Sequence, residues 1–198
     1  MRVSFKTTFY VIFNLMLLSS CSNDDSMQDT PLENETSTTP TKEAATSTDG
    51  FTTNDNTTAL PKTTFGNETN CKQTEDDTFN AQFLILVNKH RASINVKTLT
   101  ANTIANYLAF KNSKYMICQN DFNHTNFNEA NRILSNEVNS RGAAENIIQG
   151  FNTPESMLEG WLNSPPHKIN LENPNYTHTG FSAIKSNGRY WGTQIFYR

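Results

Sequence analysis

An α+β domain is predicted from Glu75 to the end of the chain by two patterns. Apolar residues fall at helical spacing before Gly142 and after Thr153, and an Asn-Gly turn, Asn187-Gly188, joins two strand-like runs at the C-terminus. Helices before and between strands, closed by an antiparallel hairpin, make a layered fold. A third observation locates the chemistry. Gly142-Ala143-Ala144-Glu145-Asn146-Ile147-Ile148-Gln149-Gly150 carries one carboxylate, Glu145, into a short apolar run read as a strand. A carboxylate taken out of water needs a partner. His124, His167 and His178 are candidates, and a solvated strand end at Glu145 is the competing reading.

The elements follow in order. Asp77 or Thr78 caps a first helix in which Phe79, Phe83, Leu86 and Val87 share a face, Ala81 and Leu84 widen it, and Ser93 marks the end. A second helix begins between Thr98 and Asn102, with Ile104, Ala105, Leu108 and Tyr115 inward and Lys111 and Lys114 outward. The turn-rich stretch Asn120 to Asn126 holds Phe122 and His124. A third helix spans about Glu129 to Val138 and turns Ala130, Ile133 and Leu134 inward. Thr153-Pro154-Glu155 starts a fourth, with cap hydroxyl, proline at the first helical position and an acid in the first turn. Its buried face is Met157, Leu158, Trp161 and Leu162, and Ser164-Pro165-Pro166 stops it. Strands Tyr176 to Ile184 and Arg189 to Tyr197 complete the hairpin, placing His178 and Gln194 at the same end of the sheet.

Upstream, residues 1–20 read as an export signal: Arg2 and Lys6, then an apolar run too short for the ~20 residues of a spanning helix, then Ser19-Ser20 before Cys21. Leu18-Ser19-Ser20-Cys21 resembles a bacterial lipobox, which makes Cys21 a lipidated, membrane-anchoring residue; an ordinary cleaved signal is the alternative. Residues 21–74 are rich in Thr, Asn, Ser, Asp and Glu and too poor in apolar residues to offset chain entropy, which is the composition of a disordered linker. From Ser22 to Thr74 nine acidic residues face three lysines, whereas residues 75–198 hold ten acidic and eleven basic residues. The acidity belongs to the tether. No basic stripe marks a nucleic-acid footprint. In an oxidising space Cys71 and Cys118 are candidates for a disulfide, or remain two separate thiols.

Six segments in order then carry a family likeness: Leu86-Val87-Asn88-Lys89-His90-Arg91, Phe122-Asn123-His124-Thr125, Ala144-Glu145-Asn146-Ile147, Trp161 through Leu171, Asn175 through Phe181, and Tyr190 through Phe196. Together they resemble the CAP superfamily (cysteine-rich secretory proteins, antigen 5, pathogenesis-related 1), in its bacterial SCP-domain branch. The resemblance implies a three-layer α-β-α sandwich with a central antiparallel sheet over residues 75–198, and a cleft of two His and two Glu. It carries the first His to His124, the Glu to Glu145 and the second His to His178. The second Glu falls near Ser164 and is missing, with His167 as a substitute contributor.

Three chemistries fit such a cleft. His124 and His178 suit a divalent metal such as Zn or Ca. Glu145, a histidine and Ser164 or a water suit hydrolysis. A hydrogen-bonded network that shapes a binding surface is the third and the favoured one. The expectation is an exported binding module, lipid-anchored to the bacterial cell envelope at the outer membrane and displayed at its surface. Its partner is an unknown protein, lipid, sterol or glycan.

Overall fold

The computed structural model describes residues 59–66 and 73–198, together with two short paired strands, β1 (Ala45–Thr46) and β2 (Thr52–Thr53). The expected export signal, Cys21, Cys71 and most of the expected linker lie outside the described residues.

Helix α1 (Asp77–Ser93) is capped by Asp76, one residue before the expected cap, whose carboxylate accepts from the Phe79 amide. The same carboxylate accepts from the Tyr190 hydroxyl at 2.6 Å, which pushes that phenol up to about 12 and ties the helix start to the hairpin. A two-residue strand β3 (Thr100–Ala101) leads into α2 (Thr103–Gln119), capped by the Asn102 side chain. Helix α3 (Phe127–Val138) precedes β4 (Ala143–Phe151), and α4 (Pro154–Leu162) opens with the expected Thr153 cap. Strands β5 (His178–Ser186) and β6 (Arg189–Tyr197) form the hairpin, with Asn187 and Gly188 at φ +49° and +79°, the left-handed pair this tight turn requires.

Between α4 and β5 the chain departs from expectation. Pro165 begins a further helix, α5 (Pro165–Glu172), because proline is tolerated in the first turn, where its missing N–H has no intrahelical partner. The stop signal is therefore also a start signal.

The sheet order is β3-β5-β6-β4, with the three long strands antiparallel and β3 parallel to β5. The period of two splits the strands between two cores. One face packs Ile148, Phe181, Ala183 and Phe196 under α1, α4 and α5, with Phe83, Met157 and Trp161 at its centre. The other packs Ile195 and Tyr197 under Ile104, Leu108, Ile133 and Leu134 of α2 and α3. These are the three layers the sequence implied.

Two further expectations change. Lys114 is buried rather than outward, its ammonium lying 5.7 Å from the centre of the Phe110 ring. The ordered domain also begins before Glu75, since Phe65 is buried beside α2 and α3.

Candidate functional site

Strand β4 is an edge strand, and its exposed edge is managed by side chains. The Trp161 indole donates to the Ile147 carbonyl at 3.1 Å. On the α5 side Asn146 is held twice, its amide nitrogen donating to the His167 carbonyl at 3.0 Å and its oxygen accepting from Asn170 at 2.8 Å. Alternation then turns the neighbouring Glu145 to the α2–α3 side.

There Glu145 finds its partner. Its Oε1 lies 2.7 Å from His124 Nδ1, and its Oε2 accepts from the Asn112 amide at 3.3 Å. The carboxylate is almost wholly buried, with 1% side-chain exposure, while the imidazole is 52% exposed. Burial of the carboxyl raises its pKa, and the hydrogen bond to His124 opposes that rise. The same hydrogen bond raises the pKa of His124, against a smaller loss from burial. Behind them, Asn126 donates to Asn112 Oδ1 at 3.0 Å, and Asn112 and Ser113 both reach Thr193 Oγ1. Asn112 and Asn126 were not foreseen as site residues. The available signal was the polar run Lys111-Asn112-Ser113-Lys114 between two apolar stretches of the helix.

His167 enters from the other layer. Its Nδ1 lies 2.8 Å from Ser164 Oγ, its ring packs near Trp161, and its pKa is lowered by burial and by the nearby charge of His124. The structure therefore forms two anchored pairs, His124 with Glu145 and His167 with Ser164, on the two sides of β4, with Asn146 of the same strand bonded to the His167 carbonyl.

His178 is not among them. It sits in the register row with Tyr197, beyond the Gly180–Ile195–Glu145 row and with β6 between, so its Cα lies roughly 12 Å from that of Glu145 by strand spacing. Its ring stacks on Tyr197 at 4.9 Å and its Nδ1 meets the Thr177 hydroxyl. Gln194 does not join it either, because it pairs with Phe181 and faces the opposite layer, donating to Thr179.

This arrangement fits a resident metal poorly. Both oxygens of Glu145 are engaged, and among the described residues no group of three or more His, Cys, Asp or Glu converges on one point. Two imidazole Nε2 atoms fall short of the four ligands of a closed zinc site. Cys118 is disulfide-bonded, and its expected partner Cys71 lies outside the described residues.

The His124–Glu145 pair makes a prediction. Because hydrogen bonding raises the folded-state pKa of His124, its share of stability is fully present below the unfolded histidine pKa and is lost as pH rises through the raised value. In an NMR titration His124 is expected to protonate above the ordinary histidine range, and in Glu145→Gln to fall back toward it. An unchanged midpoint in the variant would mean the pair is not coupled.

Three layers, with a histidine–glutamate pair at the open edge of the sheet, define a CAP domain of the SCP type. The chain belongs to that family: residues 84–196 match CAP, the cysteine-rich secretory protein family. The Bacillus subtilis protein YkwD is 32% identical over 113 residues, covering 56% of this chain and 44% of that protein. An extracellular protein containing a SCP domain from Bacillus anthracis is 28% identical in its crystal structure, with a TM-score of 0.54, covering 62% of this chain and 41% of that one. An outer surface protein from Borrelia burgdorferi shares the fold at 19% identity and a TM-score of 0.57, covering 64% of this chain and 98% of that one. This chain thus spans less than half the length of either Bacillus protein.

Proposed function

We propose that this protein is an exported CAP domain, anchored to the cell envelope through a lipid on Cys21, that binds a ligand or partner at the β4 edge through His124 and His167. One observation carries the reading. Each imidazole is held at Nδ1, His124 by Glu145 and His167 by Ser164, which leaves Nε2 of each as the atom offered to an incoming group. Anchored rings presenting one nitrogen apiece are a preorganised recognition surface, and preorganisation reduces the entropy lost on binding. The Bacillus anthracis relative, described as extracellular, supports export. Membrane retention of a Cys21→Ala chain would refute the anchor.

The test compares immobilised native chain with a His124→Ala/His167→Ala chain against a solubilised envelope fraction. A component retained by the first and lost by the second is expected. Equal retention by both would place recognition elsewhere. Zn²⁺ serves as a separate probe of the two Nε2 atoms. Any calorimetric uptake should vanish in His124→Ala and in His167→Ala and persist in His178→Ala, and the reverse pattern would restore His178 to the site.

The Ser164–His167 contact favours hydrolysis as a second reading, with Ser164 as nucleophile and His167 as base. Yet Ser164 is followed by Pro165 and Pro166, so the helix it precedes lacks its first two N–H donors. Those donors would be the nearest stabilisers of an oxyanion at Ser164. Turnover of an ester or peptide that Ser164→Ala abolishes would establish this reading, and its absence in the native chain would close it.

A further inference from the structure

Residues 59–66 precede the family-matched region and nevertheless meet the α2–α3 layer at four points, three on α2 and one on α3. Leu60 packs against the cluster of Tyr107, Phe110 and Ile184. The Thr64 amide donates to Glu129 Oε1 at 2.9 Å, and its hydroxyl donates to Glu129 Oε2, so both carboxylate oxygens in the first turn of α3 are held by one residue. Phe65 is 2% exposed in the cluster of Ile104, Leu108, Ala109, Ala130 and Ile133. Gly66 then turns at φ +49° with the Tyr115 ring so close that a Cβ would lie 2.6 Å from it. That turn brings the chain to the last turn of α2, where Cys118 is disulfide-bonded.

A segment held at Leu60, Thr64, Phe65 and Gly66 is not a passing stretch of linker. Burying one Phe and most of one Leu gains enough to hold eight residues only if several contacts act together, and here the apolar contacts alternate with a charge-assisted pair. We infer that residues 59–66 are a strap that fastens the upstream chain to the α2–α3 layer. A pull from the N-terminal side is then taken by Phe65, Thr64 and the turn at Gly66 against Tyr115. Phe65 of the strap also completes the apolar contact between α2 and α3.

Lys62 is exposed in the middle of the strap and reports its state. A protease must draw several residues out of the fold to cut there. In the full-length chain, trypsin cleavage after Lys62, followed by mass spectrometry, is expected to be at least tenfold slower than in a synthetic peptide spanning residues 57–68. Phe65→Ser and, separately, Leu60→Ser should raise the rate at least severalfold while near-ultraviolet circular dichroism stays native. Loss of the native spectrum in Phe65→Ser would also support the strap, as a cooperative part of the domain. Cleavage of the native chain at the peptide's rate, or a rate unmoved by both substitutions in folded protein, would overturn it.

Discussion

Replacing Gly180 by alanine is expected to cost about 3 kcal/mol or more, which at roughly 4 °C per kcal/mol for a domain of this size lowers Tm by more than ten degrees. Gly180 lies in β5 directly beneath α2. A Cβ there would lie 2.0 Å from the carbonyl carbon of Ala105, 2.2 Å from its oxygen and 2.3 Å from the Asn106 nitrogen. All three are backbone atoms, so no rotamer change relieves the overlap and the helix itself must move. It cannot move alone. Asn106 Oδ1 accepts from the Phe181 amide at 3.0 Å, and Asn112 on the same helix holds Glu145. The substitution should therefore also lower the His124 titration midpoint. Gly192→Ala is the control, because its Cβ would meet only side chains, Met157 Sδ at 3.2 Å and Ile148 Cγ2 at 3.3 Å, and no backbone. Thermal unfolding of both decides the matter: equal losses would mean that the rigidity of α2 over β5 is not the cause.

Arg91→Leu is expected to cost about 3–5 kcal/mol, because charged hydrogen bonds are individually worth about 1.5–3 kcal/mol and several are lost together. Arg91 is fully buried near the end of α1. Its Nε donates to the Lys97 carbonyl at 2.7 Å, its Nη1 to Leu171 at 2.6 Å and Asn173 at 3.1 Å, and its Nη2 to Tyr176 at 3.2 Å. Burial lowers its pKa, yet the fork of donors is what the chain uses. These carbonyls belong to the loop after α1, the last turn of α5, whose carbonyls have no intrahelical partner, and the approach to β5. Lysine keeps the charge but lacks the planar fork, so Arg91→Lys should recover little. Urea denaturation measures both, and a loss under about 1 kcal/mol in Arg91→Leu would show that water can replace the guanidinium.

Much of this was legible from residue types. Helical spacing in Phe79, Phe83 and Val87 located α1, Thr153-Pro154 located the start of α4, and Asn187-Gly188 fixed the hairpin, because each signal acts within a few residues of itself. The same local logic misread Pro165. Proline ends one helix and begins another with equal ease, and which it does depends on what the next turn packs against. Lys114 was misread for a related reason, since helical periodicity assumes one apolar neighbour, whereas α2 is covered by the sheet on one side and by the strap around Leu60 and Phe65 on another.

The sequence by itself determined the family and the order of the elements other than β3 and α5, and it raised the question of a partner for Glu145, because a carboxylate in an apolar strand is costly unless it is paired or stays in water. The choice of histidines was decided by the tertiary structure. His167 and His178 stand in similar polar surroundings in the chain, but α5 folds back along the β4 edge and carries His167 toward His124. The register of β5 instead sets His178 beside Tyr197, with β6 between it and Glu145. Helix packing and strand register are relations between residues far apart in sequence, and no local pattern encodes them.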